Sequence, residues 1–409
     1  MKKAEIIAIG SELLTPFRID TNSLFLTRTL EEKGIAVVAK TIVGDNMEDL
    51  LFVFRTAFSR SDIIVCSGGL GPTIDDLTKQ ALAEYLGVPL EFHEDIWQTI
   101  VDRFAKRGLK VAETNRRQAM IPAGARILPN PLGTAPGVSM MIAEKQQIFL
   151  LPGPPFELEA MWEKEALPLL QEASPLQRTV LKVAMTSESQ VDEMLRPVTD
   201  RLRNVRYTIL AGAGEIEIHL LSESLYATER AQATAEMRSI LGSRLYTESL
   251  DPLEAVVGNL LKERGKKVAV AESCTGGLLA ERLTQIAGSS AYFERGAVTY
   301  SNEAKIELLG VSSESIAEHG AVSEPVAREM AEGILRKSHA DFGISITGIA
   351  GPDGGTPEKP VGVVFVGMAE RNGETIVKKF SFPGNRDRVR FFSSQAALNL
   401  LRMRLLDGQ

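Results

Sequence analysis

Three short apolar runs near the start of this 409-residue chain constrain its fold more than any other feature. They read AEIIAIG, IAVVAKTIV and DIIVCSGG, and amphipathic stretches such as TNSLFLTRTLEEKG and MEDLLFVFRTAF separate them. Strands that are apolar on both faces and alternate with helices are typical of a parallel sheet covered on both sides. The pattern predicts an α/β domain over residues 1–172, which ends where the polar stretch QEASPLQ begins.

The segment that follows has a different pattern of apolar and polar residues. RTVLKVAM and EIEIHLLSES alternate like half-exposed strands, and QVDEMLRPVTDRL and ERAQATAEMRSIL have helical spacing. We therefore predict a small α+β domain over residues 173–250, with one face of its sheet open. No catalytic cluster is visible in it, so packing, linking or dimerisation is its expected role.

A third domain is predicted over residues 251–409. Its first helix, DPLEAVVGNLLKERG, has Asp251 as a plausible N-cap, Glu254 as the second member of a capping box and Gly265 as a stop. Strands are expected at KKVAVAE, GAVTY, DFGISIT and VGVVFVGMA, and a long helix at about 386–405. The whole chain is thus expected to be a multi-domain α/β protein.

Composition excludes several classes of protein. A formal net charge of -7 argues against broad nucleic-acid binding, which needs a basic surface. No apolar run approaches the roughly 20 residues of a membrane-spanning helix, and Gly10 interrupts the short N-terminal run. Cys66 and Cys274 form no CxxC pair, so neither a disulfide framework nor a zinc site is predicted. We expect a cytoplasmic protein with no membrane or nucleic-acid partner.

The heptapeptide AESCTGG places two nucleophiles side by side between a predicted strand and a predicted helix. Such a turn offers backbone N–H groups and the positive end of a helix dipole, which suit a phosphate or an oxyanion. Gly276 and Gly277 would let a substrate approach the backbone. Ser273 is therefore a candidate nucleophile, Cys274 is its rival, and a simple N-cap role for Ser273 is the structural alternative.

A nucleophilic serine needs a base. The histidines, at positions 93, 219, 319 and 339, lie in no Ser-His-Asp pattern, so a lysine of lowered pKa is the other option. GAVTYSNEAKIELLGV offers Tyr300 at a strand end and Lys305 inside the next helix. The structural alternative for Lys305 is an ordinary solvated helix lysine.

Two later stretches add polar groups. SITGIAGPDGGTPEKPVG is a glycine-rich loop between two predicted strands, and FPGNRDRVR places Arg386 and Arg388 at a helix start. A guanidinium there could bind a phosphate in bidentate fashion. The alternatives are a flexible hairpin and a solvated basic helix end.

The N-terminal domain has its own glycine turn, SGGLGPTIDD, which matches neither common nucleotide fingerprint. Its glycines would admit a phosphate to a helix N-terminus. Asp75 and Asp76 follow, although Thr73 and Asp76 could simply form a capping box. Further acids stand in GSELLTPFRIDTNS, where Asp20 could cap a helix. Carboxylates beside a phosphate-binding turn are what a divalent cation requires when it bridges a diphosphate and a water.

Ten ordered blocks carry a resemblance to one family. They are GSELL, DTNS, SGGLGPTIDD, NPLGTAPG, LPGPPFE, AESCTGG, GAVTYSNEAK, HGAVSEP, GIAGPDGG and FPGNR. From end to end the chain resembles the competence/damage-inducible CinA family, which joins a MogA/MoaB-like domain, a small KH-like domain and a C-terminal amidohydrolase domain.

The resemblance implies two activities. The C-terminal domain would convert nicotinamide mononucleotide and water into nicotinate mononucleotide and ammonia without a cofactor. The N-terminal domain would hydrolyse ADP-ribose to AMP and ribose 5-phosphate with a divalent metal ion (Mg, Mn or Co), and the protein would be a homodimer. Two other functions stay open: molybdopterin binding, and a competence-related adaptor role with vestigial sites.

The resemblance also assigns residues. Ser273 would be the nucleophile, Lys305 its base, Tyr300 an aid to proton transfer and Thr347 a residue that holds the site. Expected substrate contacts at this site are Cys274, Thr275, Gly276, Gly277, Asn302, Gly351 and Arg386, with an oxyanion hole inferred from the turn at 274–277. In the N-terminal domain the expected substrate contacts are Gly68, Gly69, Gly71 and Asn115, and the expected metal ligands are Asp75, Asp76, Glu12 and Asp20.

Overall fold

The computed structural model describes residues 2–143, 146–170 and 176–407. The chain forms two compact units, which are Met1–Gln177 with Glu223–Leu225, and Arg178–Ser222 with Tyr226–Gln409. The predicted boundary at residue 172 lies outside the described residues. Within the described ranges, no helix has both the length and the apolar character needed to cross a membrane.

The first unit is built on a six-stranded sheet with the order β2-β1-β3-β8-β7-β6. Its strands are β1 (Lys3–Ile9), β2 (Ala36–Val43), β3 (Ile63–Ser67), β6 (Arg126–Leu128), β7 (Gly137–Ala143) and β8 (Gln146–Leu151), while β4 (Leu90–Phe92) and β5 (Met120–Pro122) form a separate pair. The strands β2, β1, β3 and β8 are parallel, and β7 and β6 are antiparallel. The predicted parallel α/β architecture is confirmed.

Helices cover both faces of this sheet. They are α1 (Asn22–Glu32), α2 (Met47–Arg60), α3 (Thr78–Leu86), α4 (Glu94–Lys106) and α5 (Pro155–Met161). Alternate residues of the central strands enter different hydrophobic clusters: Ile7 packs with α2 and α3, whereas Ile6 packs with α1 and α5. This two-sided burial explains why the strands read as continuous apolar runs.

The second unit contains two sheets, with the orders β10-β11-β9-β12 and β14-β13-β15-β16-β17. The strands are β9 (Leu176–Ala184), β10 (Arg206–Gly212), β11 (Glu215–Glu223), β12 (Leu245–Thr247), β13 (Val268–Glu272), β14 (Phe293–Val298), β15 (Phe342–Gly348), β16 (Val363–Glu370) and β17 (Thr375–Ser381). The helices are α6 (Glu188–Thr199), α7 (Ala227–Leu241), α8 (Leu253–Glu263), α9 (Leu278–Gln285), α10 (Asn302–Ala304), α11 (Ser313–His319), α12 (Glu324–Arg336) and α13 (Arg386–Asp407).

The predicted capping box at the start of α8 is wrong. The helix begins at Leu253, and Asp251 accepts a hydrogen bond from Ser249 instead of capping it. Glu254 points into the protein and pairs with the buried Arg282 at 2.7 Å. A buried guanidinium needs a counter-charge, and this need outweighs a local cap. Gly265 does end the helix, with a φ of 61°.

The candidate site residues lie at the carboxyl ends of parallel strands. In the second unit, Glu272 at the end of β13 is paired with Val298 of β14 and with Ile346 of β15. The residues that follow these strand ends therefore meet at one edge of the sheet. The sequence order strand, turn, helix thus brings Ser273 of AESCTGG and Lys305 of GAVTYSNEAK together although they are 32 positions apart in the chain.

Candidate functional site

Ser273 and Lys305 form a buried pair. The Lys305 Nζ lies 3.2 Å from the Ser273 Oγ, within hydrogen-bond distance. Lys305 is 1% exposed and Ser273 is 8% exposed. The alternative of a solvated helix lysine is therefore wrong for Lys305, because its chain folds inward from the π-helical turn Lys305–Leu309.

Three backbone carbonyls surround the same amine. The Lys305 Nζ also donates to the carbonyl oxygens of Thr299 (2.9 Å), Tyr300 (3.3 Å) and Ser301 (3.4 Å). Burial lowers the pKa of Lys305 below the ordinary lysine value, because the charged form loses its hydration. The three carbonyl oxygens favour the protonated form of Lys305 instead, since they accept hydrogen bonds from an ammonium group. Burial and the carbonyls thus act on this amine in opposite directions, and a general base needs both influences because it must be neutral before the reaction and hold a proton during it.

Cys274 is a poor competitor as nucleophile. Its side chain is buried, and burial raises the pKa of its thiol to about 12. The thiolate is the nucleophilic form of cysteine, so little of it exists at neutral pH. Of the two adjacent candidates, only Ser273 lies against a base.

The turn after Ser273 depends on its two glycines and on Glu272. Gly276 and Gly277 have φ values of 60° and 98°, which side chains with a Cβ rarely adopt. The fully buried carboxylate of Glu272 accepts hydrogen bonds from the amides of Gly277, Leu279 and Ala280 at 2.8–3.1 Å. It therefore occupies the N-terminus of α9, and the predicted phosphate or oxyanion site at that helix end is wrong.

The inferred oxyanion hole is accordingly smaller than predicted. The Gly276 amide donates to the Ser273 carbonyl, and the Gly277 amide is bound by Glu272. Among the described residues, the Thr275 amide has no backbone acceptor and the Cys274 amide faces the sulfur of its own side chain, so these two amides are the ones that remain for an oxyanion. Arg390 of α13 holds this turn, because its guanidinium donates twice to the Thr275 carbonyl at 2.8 and 3.2 Å.

Arg386, one helical turn before Arg390, ties two further loops to the site. Its guanidinium donates to the Gly351 carbonyl at 2.9 Å and to the Tyr300 hydroxyl at 3.0 Å. The Tyr300 ring is 60% exposed, so this hydroxyl and the exposed Arg386 stand where a ligand can reach them. The glycine-rich loop lies between β15 and β16, as predicted.

Two other predicted residues occupy different surroundings. Thr347 is fully buried in β15 and donates its hydroxyl to the Ala321 carbonyl at 2.8 Å, so it anchors the loop of the HGAVSEP block. Asn302 is exposed at the first residue of α10. The hydrogen bonds thus give Thr347 a supporting position, whereas Ser273, Lys305, Tyr300 and Arg386 are joined by direct contacts.

A second candidate site is a cavity of about 380 Å³ in the first unit. Gly68, Gly69 and Gly71 line it, together with the ends of β1 and β8. A Cβ on Gly68 would lie 2.1 Å from the Ile9 carbonyl oxygen, so only glycine fits this turn. The lining includes five carboxylates, which belong to Glu12, Asp45, Asp75, Asp76 and Glu157.

The predicted acids of the first unit differ in their surroundings. Asp76 accepts from the amides of Gly71 (2.7 Å) and Thr73 (2.8 Å) and closes the loop. It forms no capping box, because α3 begins only at Thr78. Asp75 has a pKa below the ordinary value, chiefly because of the Thr73 hydroxyl, so it is ionised at neutral pH.

Asp20 and Asn115 are not among the residues that line this cavity. Asp20 accepts from the amide and hydroxyl of Ser23 in the first turn of α1, so it serves the helix start as the capping alternative predicted, although the N-cap position is Thr21 and not Asp20. Asn115 is buried and donates to the Gln118 side chain at 3.1 Å, and Gln118 in turn lines the cavity. In the described part of the chain, no group of three or more His, Cys, Asp or Glu side chains could hold a metal ion alone.

Sequence reasoning missed four residues of these sites. Glu272 had a signal, since a lone acid ends an otherwise apolar strand, and Arg390 follows Arg386 at helical spacing. Asp45 stands in a stretch with no such signal. Glu157 ends the LPGPPFE block, but nothing in that block marks its carboxylate, and only the fold brings both acids to the cavity.

Comparison with known proteins gives matches in both parts of the chain. Residues 250–405 match the family described as "CinA C-terminal domain", and residues 5–172 match the family described as "Probable molybdopterin binding domain". A "CinA-like protein" of Koribacter versatilis is 45% identical over 98% of this chain and 100% of that relative. A "CinA-like protein" of Solibacter usitatus is also 45% identical, over 98% of each chain.

Among solved structures, the competence/damage inducible protein CihA from Agrobacterium tumefaciens is 43% identical. It covers 38% of this chain and 98% of its own, with a TM-score of 0.37. The full-length similarity to the curated relatives decides the family. The chain belongs to the CinA family, with a MogA/MoaB-like molybdopterin-binding-type domain at its N-terminal end and the CinA C-terminal domain at its other end.

Proposed function

We propose that the C-terminal domain is an amidohydrolase that converts nicotinamide mononucleotide and water into nicotinate mononucleotide and ammonia. The observation that carries the proposal is the buried lysine amine 3.2 Å from the hydroxyl of Ser273. A lysine of lowered pKa beside a serine is the Ser-Lys variant of the nucleophile and base arrangement. The substrate is the one implied by the sequence resemblance.

In the first half-reaction, the neutral Nζ of Lys305 takes the proton of the Ser273 hydroxyl as Oγ attacks the amide carbon. The amides of Cys274 and Thr275 donate hydrogen bonds to the oxygen that becomes negative. Lys305, now an ammonium, is stabilised by the surrounding carbonyls and then donates its proton to the departing nitrogen. The carbon–nitrogen bond breaks, ammonia leaves and an ester on Ser273 remains.

In the second half-reaction, water replaces the amine. Lys305, again neutral, takes a proton from water as its oxygen attacks the ester carbon. The proton returns to the Ser273 Oγ when the carbon–oxygen bond breaks, and the carboxylic acid that is released loses its remaining proton to solvent to give the carboxylate. Each step uses one amine as base and then as acid, which is why both of its protonation states must be accessible.

Arg386 provides a positive charge that would bind the phosphate group of a mononucleotide. Its guanidinium is exposed and is oriented by the Gly351 carbonyl and the Tyr300 hydroxyl. A guanidinium held in this way is suited to one phosphate group. The Tyr300 hydroxyl lies beside it and accepts one of its hydrogen bonds.

An ammonia-release assay tests this proposal. The purified chain is mixed with nicotinamide mononucleotide, and with nicotinamide lacking the ribose phosphate as a comparison. We expect ammonia from the nucleotide at a rate that a metal chelator does not change, and much less from the free base because Arg386 has no phosphate to bind. A protein that releases no ammonia from the nucleotide would instead favour the adaptor function.

We also propose that the first unit hydrolyses ADP-ribose with the help of a divalent cation. The supporting observation is the negative charge of its glycine-lined cavity. Five carboxylates line this cavity, and among the described residues no lysine, arginine or histidine does. Such a cavity repels a diphosphate unless a cation lies between them.

The residues present fit a divalent cation. Mg²⁺ is commonly held by one or two protein carboxylates together with substrate phosphates and water, so a cluster of three acids is not required. Asp75 and Glu12 are suited to hold it, whereas Asp76 already accepts two amides and serves the loop. A bound cation would neutralise the charge of the diphosphate. The glycines of the turn would let the diphosphate approach the backbone. Asp45 accepts a hydrogen bond from the Ser11 amide at 2.7 Å and so helps to hold the turn that carries Glu12.

Replacing Asp75 by Ala is expected to abolish ADP-ribose cleavage, because a cation ligand is lost. The activity, measured as AMP formation, should also require added divalent metal. The matched control is Asp20→Asn, which changes an acid outside the cavity and keeps an acceptor for the Ser23 amide. Turnover that resists a chelator, or an equal loss in both variants, would count against this assignment.

A further inference from the structure

The hydroxyl of Thr299 has no part in the functions above, although it lies beside the Ser-Lys pair. Thr299 is fully buried, and its amide donates to the Glu272 carbonyl at 2.7 Å, so it stands next to Ser273 where β13 and β14 end. Among the described residues, its Oγ1 has no hydrogen-bond partner. A buried hydroxyl without a partner destabilises a fold, because it has lost its hydrogen bonds to water. A role in the reaction would explain its presence.

The same residue contacts the Lys305 amine. The Thr299 carbonyl accepts from the Lys305 Nζ at 2.9 Å. Covalent geometry keeps the Thr299 Oγ1 close to this carbonyl, and the lysine chain is flexible, so a small shift brings the amine and the hydroxyl within hydrogen-bond distance. The two other residues whose carbonyls hold the amine have no free hydroxyl: that of Tyr300 is bound to a guanidinium, and that of Ser301 caps a helix amide.

A neutral amine has a lone pair that needs a hydrogen-bond donor. The surrounding carbonyl oxygens can only accept, so they cannot serve this lone pair. Before the reaction the Ser273 hydroxyl serves it. Once Ser273 carries the ester, that hydroxyl no longer exists. The Thr299 hydroxyl is then the one buried donor beside the amine that is not already bonded among the described residues.

We infer that Thr299 is a positioning residue, whose hydroxyl donates a hydrogen bond to the neutral amine of Lys305 while Ser273 carries the ester. The inference rests on the proposed amidohydrolase function. This bond favours the neutral amine and keeps it oriented until the attacking water replaces the hydroxyl as donor. It therefore serves the second half-reaction. The first half-reaction depends on it little, because the Ser273 hydroxyl is still present.

The experiment separates the two half-reactions in the full chain. The kcat/KM for ammonia release from nicotinamide mononucleotide reports formation of the ester. The ratio of ester-bearing to free enzyme, measured by intact-protein mass spectrometry after an acid quench at saturating substrate, reports the balance between formation and hydrolysis. A defect that slows both steps equally leaves this ratio unchanged, so a general structural effect cannot imitate the expected result.

Three variants are compared with wild type. Thr299→Val replaces the hydroxyl by a methyl group of similar size, and Thr299→Ser keeps the hydroxyl. The matched control, Thr234→Val, makes the same change at a buried threonine of α7, whose hydroxyl donates to the Arg230 carbonyl at 2.8 Å.

We expect Thr299→Val to raise the ratio of ester-bearing to free enzyme about ten-fold, the effect of one lost hydrogen bond on the hydrolysis step. Its kcat/KM for ammonia release should stay within about two-fold of wild type. Thr299→Ser and the control should keep the wild-type ratio. Thr299→Val should also unfold at a temperature no lower than that of wild type, because the substitution removes no hydrogen bond of the free enzyme.

The inference is overturned if the ratio in Thr299→Val is unchanged, or if Thr299→Ser shows the same ratio as Thr299→Val. It is also overturned if Thr299→Val unfolds clearly below wild type, since the hydroxyl would then support the fold. In each of these cases a wild-type chain that releases ammonia leaves the proposed function intact. A wild-type chain that releases none would refute the proposed function itself, and the role of Thr299 with it.

Discussion

Ser273→Ala is expected to lower ammonia release from nicotinamide mononucleotide by about 10³-fold or more, because no hydroxyl remains to attack the amide. The loss should appear in kcat, since Ser273 acts on the reacting carbon and not on the phosphate. Binding of the substrate, which depends on Arg386 and the surrounding loops, should change little. Steady-state kinetics with an ammonia-coupled assay measure both quantities.

The neighbouring cysteine provides the matched control. Cys274→Ala removes a buried thiol that lies next to Ser273 in the same turn, and it should keep most of the activity. The burial that raises the pKa of this thiol makes it a packing residue. If Cys274→Ala were inactive and Ser273→Ala active, the nucleophile would have been assigned to the wrong residue.

Lys305→Gln is expected to cause a loss of similar size, because the variant keeps N–H donors for the surrounding carbonyls but has no base. The amide of glutamine can still donate hydrogen bonds toward the carbonyls of Thr299 and Tyr300, so the fold is better preserved than with an apolar residue. Thermal unfolding of the variant checks this. Wild-type turnover in Lys305→Gln would exclude the lysine as base.

The pH dependence of wild-type turnover follows from the same amine. Only neutral Lys305 can accept the serine proton, so kcat/KM should fall about ten-fold per pH unit below the pKa of this residue. Burial lowers that pKa, and the rising limb should therefore lie below the ordinary lysine value of 10.5. The residual activity of Lys305→Gln should lack this limb.

The fold was predictable where burial determines the residue pattern. The runs AEIIAIG and DIIVCSGG became β1 and β3 because both faces of a covered parallel sheet are apolar. The start of α8 was not predictable from capping rules, since Glu254 serves the distant Arg282. A local motif cannot reveal a partner that is 28 residues away in the chain.

The candidate site was predictable in its residues but only in part in its hydrogen bonds. The sequence indicated Ser273 and Lys305, and the fold shows that their side chains are within hydrogen-bond distance and that the lysine is buried. It also shows that the Glu272 carboxylate, rather than a substrate anion, occupies the start of α9. Which backbone amides are already bonded is a property of the folded turn, and no residue pattern reports it.

The most direct test of the Ser-Lys chemistry is the position of the covalent intermediate. The enzyme is mixed with nicotinamide mononucleotide, quenched in acid within one turnover, and the peptide that contains residues 273 and 274 is fragmented in a mass spectrometer. We expect the nicotinoyl nucleotide to be attached through an ester to Ser273. Attachment through a thioester to Cys274, or to a residue outside this peptide, would contradict the account.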